Sequence, residues 1–273
     1  TKLINRRPNK PLAIFLGILP FFLMLAIYQS ASNARKAENE RDKLLPSFSE
    51  IQSTMQRLAF EPSKRTGEYT FWADTKSSLY RLGLGIAISA LIALTLGLVT
   101  GAIPLVGASL NPVITAIALI PPMAILPILF IIFGLGELSK VVLIVIGIAP
   151  VMVRDLYQRV IEIPGEQLVK AQTLGAHSLH IVVRVLLPQI LPRLIDALRL
   201  SLGTAWLFLI AAEAIAATDG LGYRIFLVRR YMSMDVILPY VAWITLLAFM
   251  LDWILVRISH WCFPWFHQNQ KPH

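Results

Sequence analysis

The stretch from Val169 to Pro192 reads VKAQTLGAHSLHIVVRVLLPQILP. It is polar at its start, carries Gly175 and Pro188, and lies between two runs apolar enough to cross a bilayer. Taken as a loop on one side of a membrane, it predicts two short helices. One passes through Ala171 to a cap at Gly175, and the other runs from Ser178 to Leu187, where Pro188 stops it. Glycine closes helices in the left-handed region and proline cannot continue them, so both are stop signals.

Composition agrees with a membrane setting. A chain of 273 residues that is 56% hydrophobic and 15% charged cannot hide its apolar surface in one soluble core. Mean hydropathy is +0.66. The formal net charge of +9 is carried largely by basic residues in segments beside apolar runs, which reads as membrane topology, and no nucleic-acid partner is expected. The single cysteine, Cys262, excludes an intrachain disulfide and a metal site built on cysteines alone.

Outward from the loop, the apolar runs predict six crossings. Lys2, Arg6, Arg7 and Lys10 precede the first, Pro11 to Tyr28, and hold the N-terminus on the cytoplasmic side. That run lacks a small-residue cleavage site and is read as an anchor rather than a removed signal peptide. Residues 29–76 carry eight Lys/Arg and seven Asp/Glu and form an extracytoplasmic segment. Within it, LLPSFSEIQSTMQRL predicts an amphipathic helix with Ile51, Met55 and Leu58 on one face, either lying on the outer membrane surface or covering the bundle.

The second span, Leu79 to Ile103, has Gly83, Gly85, Gly97 and Gly101 spaced for close approach of a neighbouring helix. After a turn at Pro104 to Ser109, the third span runs from Val113 to Phe133 as one kinked helix with Pro121, Pro122 and Pro127. Prolines free backbone carbonyls that only protein or a water-lined path can satisfy, so this helix is expected to line a pore. Gly134 to Glu137 makes an outer turn, and the fourth span runs from Ser139 past Met152 to near Tyr157. The fifth covers Leu194 to Ala216, Thr218 to Met234 lies outside, and the sixth covers Val236 to Val256. Arg154, Arg159, Lys170, Arg184 and Arg193 place the loop, residues 159–193, in the cytoplasm. The expected units are thus 1–28, the N-terminus and first span; 29–76; a core at 77–258; and a cytoplasmic tail at 259–273.

The loop and its surroundings resemble a known family. Ala171, Gly175 four residues later, and Val185-x-Leu187-Pro188 after nine more are similar to the EAA loop of ABC importer permeases. The family's Glu and first Ala fall at Val169 and Lys170, and the nearest carboxylate is Glu166. LPSFSEI, SLYRLGLG, LIPPMAILPILFIIFGLGELSK and LRLSLGTAWLFLIAAEAIAATDGLGYRI extend the resemblance, over residues 44 to 258, to permeases of the nitrate/sulfonate/taurine type. The resemblance implies an all-α type I importer fold in the bacterial inner membrane and a homodimer of this subunit. It also implies two ATPase subunits below and a periplasmic or lipid-anchored solute-binding protein above. Glu166, Val169, Lys170, Ala171, Leu174, Gly175, Ala176, Leu187 and Pro188 are then the ATPase-coupling residues. ATP and Mg would sit on the partner subunits and no cofactor on this chain.

Direct chemistry is sparse. The chain has no phosphate loop of the G-x-x-x-x-G-K-[ST] type and no H-E-x-x-H helix, and an enzymatic function has no constellation to rest on. His177 and His180 share a helix face but make half a metal site at most, and a solvated surface is the plainer reading. Glu213 inside an apolar run is costly unless paired, and Arg81 at similar depth is its expected partner, as a structural pair or as part of a solute path. Pro121, Pro122, Met123, Gly220 and Gly222 complete the candidates for a path or gate. Asp219-Gly220-Leu221-Gly222-Tyr223 reads as a tight outer turn or as a closure element. Asp252 is expected to pair with Arg199 or Arg257, and Trp253, Trp261 and Trp265 to form an interfacial belt. The rival functions are an ATP-independent channel or secondary carrier and a structural anchor.

Overall fold

The computed structural model describes residues 9–39, 43–63 and 67–268, and among these the regular structure is entirely helical. In chain order the helices are α1 (Lys10–Glu38), α2 (Phe48–Phe60), α3 (Thr70–Ala102), α4 (Pro104–Leu119), α5 (Pro122–Phe133), α6 (Glu137–Ile161), α7 (Gly165–Thr173), α8 (Ser178–Ile181), α9 (Leu187–Ala216), α10 (Leu221–Arg229), α11 (Met234–Cys262) and α12 (Pro264–Gln268). A π-helical turn, Val182–Leu186, joins α8 to α9. The N-terminal cations Lys2, Arg6 and Arg7 lie outside the described residues.

α6 forms the centre. Leu143, Ile144, Ile148, Met152 and Leu156 on it are fully buried, against Leu82 of α3 and Leu209 of α9. Lipid tails are as apolar as these side chains, so close packing rather than escape from water must hold the helices together. The α3 to α6 seam provides it. Gly85, Ser89, Ala93 and Gly97 repeat every four residues on the buried face of α3, and Gly101 extends the row. A Cβ on Gly97 would sit 2.7 Å from Leu156 Cβ, and one on Gly101 would sit 2.5 Å from Val160 Cβ. Gly83 was expected in this seam but faces open space, because it lies two residues out of the four-residue register.

α1, by contrast, is exposed along its apolar length, with Phe21 and Phe22 at 68% and 66%. It runs past the expected end at Tyr28 and is tied to the rest through its last turns. Tyr28 Oη donates to Pro46 O at 2.6 Å, Ser32 Oγ donates to Leu45 O at 2.9 Å, and Lys36 pairs with Glu50. α2 starts with a capping box between Ser47 and Glu50. It covers the bundle rather than lying free: Thr54 is buried and donates to Asp235 of α11 at 2.7 Å.

Two expectations at prolines are corrected. The chain from Pro104 to Ser109 is not a turn but the start of α4, which follows α3 after the single residue Ile103, with Pro104 at a first-turn position that needs no N–H. The third span is not one kinked helix: α4 and α5 meet at 94° across Ile120 and Pro121. Two successive prolines leave no amide to continue α4 and pre-set the first turn of α5, so the chain turns a corner. Among the described residues, four helices are long and apolar enough to cross a membrane, or five if this bent pair counts as one span.

Candidate functional site

Two places in the fold concentrate polar groups, one at each end of the α3, α6 and α9 core. At the first end, the start of α3 meets the start of α6, the end of α9 and the connection into α10. Arg81 of α3 lies at the centre, with 2% of its side chain exposed. Nη1 donates to Glu213 Oε1 at 2.8 Å and to Asp219 O at 3.0 Å. Nη2 donates to Glu137 Oε1 at 2.8 Å and to an Asp219 carboxylate oxygen, and Nε donates to the other Glu137 oxygen. All five guanidinium N–H groups are therefore used, and a planar fork with fixed donors suits this multiple recognition better than an ammonium would.

Glu213 is fully buried and has its own set of donors. Ser78 Oγ donates to the carboxylate, and the Gly222 amide donates to Oε2 at 2.8 Å. The Leu221 amide in turn donates to Ser78 Oγ at 2.8 Å. Gly220 makes this possible: its φ is +113°, and a Cβ there would land 2.5 Å from Glu213 Oε1. The DGLGY stretch leads directly into α10, with the Gly222 amide on the buried Glu213 carboxylate and the Leu221 amide on Ser78. Asp219 receives a further bond from Ser77 at 2.8 Å. Partial burial pushes the Asp219 carboxyl up, but the bonds from Arg81 and Ser77 outweigh it and leave it below the usual range.

A second pair extends the hub. Asp74, buried on α3, accepts from Arg224 Nε at 2.8 Å, from Tyr240 Oη at 3.1 Å and from the Gly220 amide at 3.1 Å. Lys140 donates to Glu137 at 2.9 Å. Arg81, Lys140 and Arg224 thus face Glu137, Glu213, Asp219 and Asp74, and five elements converge on them. Of the gate candidates, Arg81, Glu213, Gly220 and Gly222 meet here, whereas Pro121, Pro122 and Met123 lie at the α4 to α5 corner. Sequence reasoning did not single out Asp74, Glu137 or Arg224. Asp74 sits in a stretch rich in other polar residues, Arg224 follows the turn residues of the outer segment, and Glu137 follows a glycine-rich turn, so each looks like a solvated charge.

At the opposite end, residues 165–187 form the loop. α7 ends at Thr173 with Leu174 as its cap, and Gly175, with φ +84°, turns the chain. His177 then caps α8 by accepting from the His180 amide, and the two imidazoles stack with centroids 4.0 Å apart. Pro188 does not stop the second helix, as the residue pattern predicts. The π turn over Val182–Leu186 widens the helix ahead of it, the Leu187 amide reaches back to Val182 O, and Pro188 becomes a first-turn residue of α9. Val169, Leu174, Leu179 and Val183 point outward at 58%, 88%, 67% and 49% exposure, while Ala171, Ala176 and Leu187 pack inward. Glu166, Lys170 and Gly175 are exposed beside that apolar patch. Gln189 of α9 donates to Gln167 of α7 at 3.1 Å and closes the loop at its root.

A third contact ties the core to α11. Asp252 accepts from Arg199 at 2.7 Å, and Arg257 lies over the Trp253 ring instead. Of the expected partners, the nearer in space is thus on the neighbouring helix.

Long apolar helices and a large exposed apolar surface define a multi-pass helical membrane protein. Residues 93–263 match the family described as binding-protein-dependent transport system inner membrane component, and the chain belongs to that family. It is a permease subunit of an ABC importer, and it works with ATPase subunits. It is 34% identical to the taurine transport system permease protein TauC of Escherichia coli (strain K12) over 74% of this chain and 73% of that one. It is 28% identical to the nitrate import permease protein NrtB of Synechococcus elongatus, over 79% of this chain and 76% of that one. The fold is similar to that of a chain of the MetNI methionine ABC transporter in an inward-facing conformation. There the TM-score is 0.59 at 22% identity, over 71% of this chain and 97% of that one.

Proposed function

We propose that this subunit carries a small anionic or sulfonate-like solute inward across a bacterial inner membrane, and that residues 165–187 receive the stroke of the ATPase. The observation that carries the reading is the outward-facing patch of Val169, Leu174, Leu179 and Val183 on a loop rooted in two core helices, α6 and α9. Exposed apolar groups in a segment flanked by Lys170 and Arg184 suit a groove on another protein better than lipid or water. Taurine, nitrate and bicarbonate, the solutes in the relatives' names, share an anionic group, which supports the solute class.

In this reading six crossings leave both termini and the loop in the cytoplasm, and the Arg81 hub lies on the extracytoplasmic side. Two copies of the subunit enclose the path, a periplasmic or lipid-anchored binding protein delivers the solute above the hub, and two ATPase subunits hold ATP and Mg below. Nucleotide binding closes the ATPases, which push on α7 and shift the population between inward- and outward-facing states. The hub keeps α3, α6, α9 and α10 moving as one body, so a push at the loop reaches the far side. Gly175→Asp and Leu174→Asp should insert normally yet lose co-purification of the ATPase. Retained association with normal transport would overturn the docking assignment.

A further inference from the structure

A cavity of about 510 Å³ lies where the loop's two roots meet the C-terminal helix. Arg159 of α6 and Glu162 just past its end, Gln189 and Arg193 of α9, and Trp265 and Phe266 of α12 contribute to its wall. Arg193 is half-buried, its guanidinium lies 4.7 Å over the Phe266 ring, and among the described residues no carboxylate pairs with it. Arg159, across the cavity, is 3.3 Å from Glu162 and 3.6 Å from Asp155. Two guanidinium groups thus face one lining carboxylate, and a partly desolvated cation with only an aromatic face for company favours an anion.

Position selects the anion. Arg193 immediately precedes the apolar run that begins at Leu194, and Trp265 in the cavity wall is 53% exposed. Tryptophan beside arginine at the end of a span is the signature of the headgroup layer. We propose that this cavity binds the phosphate of an anionic phospholipid headgroup between Arg193 and Arg159, under α12. A lipid seated there touches the residues just before α7 and the Gln189 that bonds α7, so membrane composition bears directly on the coupling loop.

The inference rests on the topology proposed above, and one arm of the test examines that topology alone. Cys262 is the chain's single cysteine and is exposed at the end of α11. A membrane-impermeant maleimide should label it in inverted vesicles and not in right-side-out ones; the opposite pattern refutes the topology, whatever the lipid result. Native mass spectrometry of the purified full chain, titrated with phosphatidylglycerol or phosphatidylcholine, then reads the site. Phosphatidylglycerol should be retained in preference. Arg193→Gln and Arg159→Gln should each lower that preference about fivefold, the equivalent of about 1 kcal/mol per cation near a membrane surface. Arg193→Lys keeps the charge and should retain most of it, which separates charge loss from misfolding. Equal retention of the two lipids, or no change in either Gln variant, overturns the proposal. So does displacement of phosphatidylglycerol by millimolar inorganic phosphate that itself binds in a lipid-free sample, because the site then takes a soluble anion.

Discussion

Arg81 Nη1 and Glu213 Oε1 lie 2.8 Å apart, both shielded from solvent, and join helices 132 positions apart in the chain. Neither charge would be stable alone at that depth. The pair holds because Ser78, Gly222 and the Asp219 backbone supply the remaining hydrogen bonds.

Removing one partner leaves the other charge buried. Arg81→Met is therefore expected to cost about 3 to 5 kcal/mol and to lower the melting temperature of the detergent-solubilised protein clearly. Arg81→Lys should rescue little, since one ammonium cannot serve Glu137, Glu213 and Asp219 together. A melting temperature unchanged in both variants would show that the hub does not hold the core.

Gly220 is expected to tolerate no side chain. Gly220→Ala meets both the left-handed backbone and the Glu213 carboxylate, and the backbone alone costs about 1 to 2 kcal/mol. Thermal unfolding beside Gly134→Ala provides the comparison. Gly134 has φ +72° but open space around it, so it reports the backbone cost without the clash.

Acid should loosen the hub through Asp219. Its folded carboxyl titrates below the unfolded one, so the native state binds fewer protons there and is favoured above the unfolded pKa. That stability is lost as pH falls from about 3.9 through the folded value. Melts recorded from neutral to acid pH should show a steeper acid limb for the wild type than for Asp219→Asn. Parallel limbs would contradict the assignment.

The α3 seam gives a paired test. Gly97→Ala places a methyl against Leu156 and should cost about 1 to 3 kcal/mol by overpacking. Gly83→Ala, facing open space, should stabilise by about 0.5 to 1 kcal/mol through helix propensity. Equal effects in thermal unfolding would mean that the helices do not meet where the structure places them.

Much of this was legible in the residues. Arg81 and Glu213 could be paired from sequence because each interrupts an apolar run at similar depth, where an unpaired charge is too costly to persist. Gly175 also announced its turn. Glu137, Asp74 and Arg224 were not legible, since a charge near a helix end gives no sign of which distant charge folding will pair it with. Proline was the other blind spot. Pro188 reads as a stop, yet a π turn converts it into a helix start, and Pro121-Pro122 read as a kink, yet they make a corner of 94°. A missing N–H is written in the sequence, but whether the chain bends, widens or restarts around it is decided by what packs alongside. In the seam, the four-residue register included Ser89 and Ala93, which a search for glycines alone passes over.

The dependence of transport on an external motor can be measured directly in proteoliposomes holding this subunit with its ATPase and binding protein. Solute should accumulate against its gradient only when ATP and Mg reach the ATPase, and Gly175→Asp should abolish that accumulation without preventing insertion. Steady uphill movement by this subunit alone, with no nucleotide present, would contradict the account.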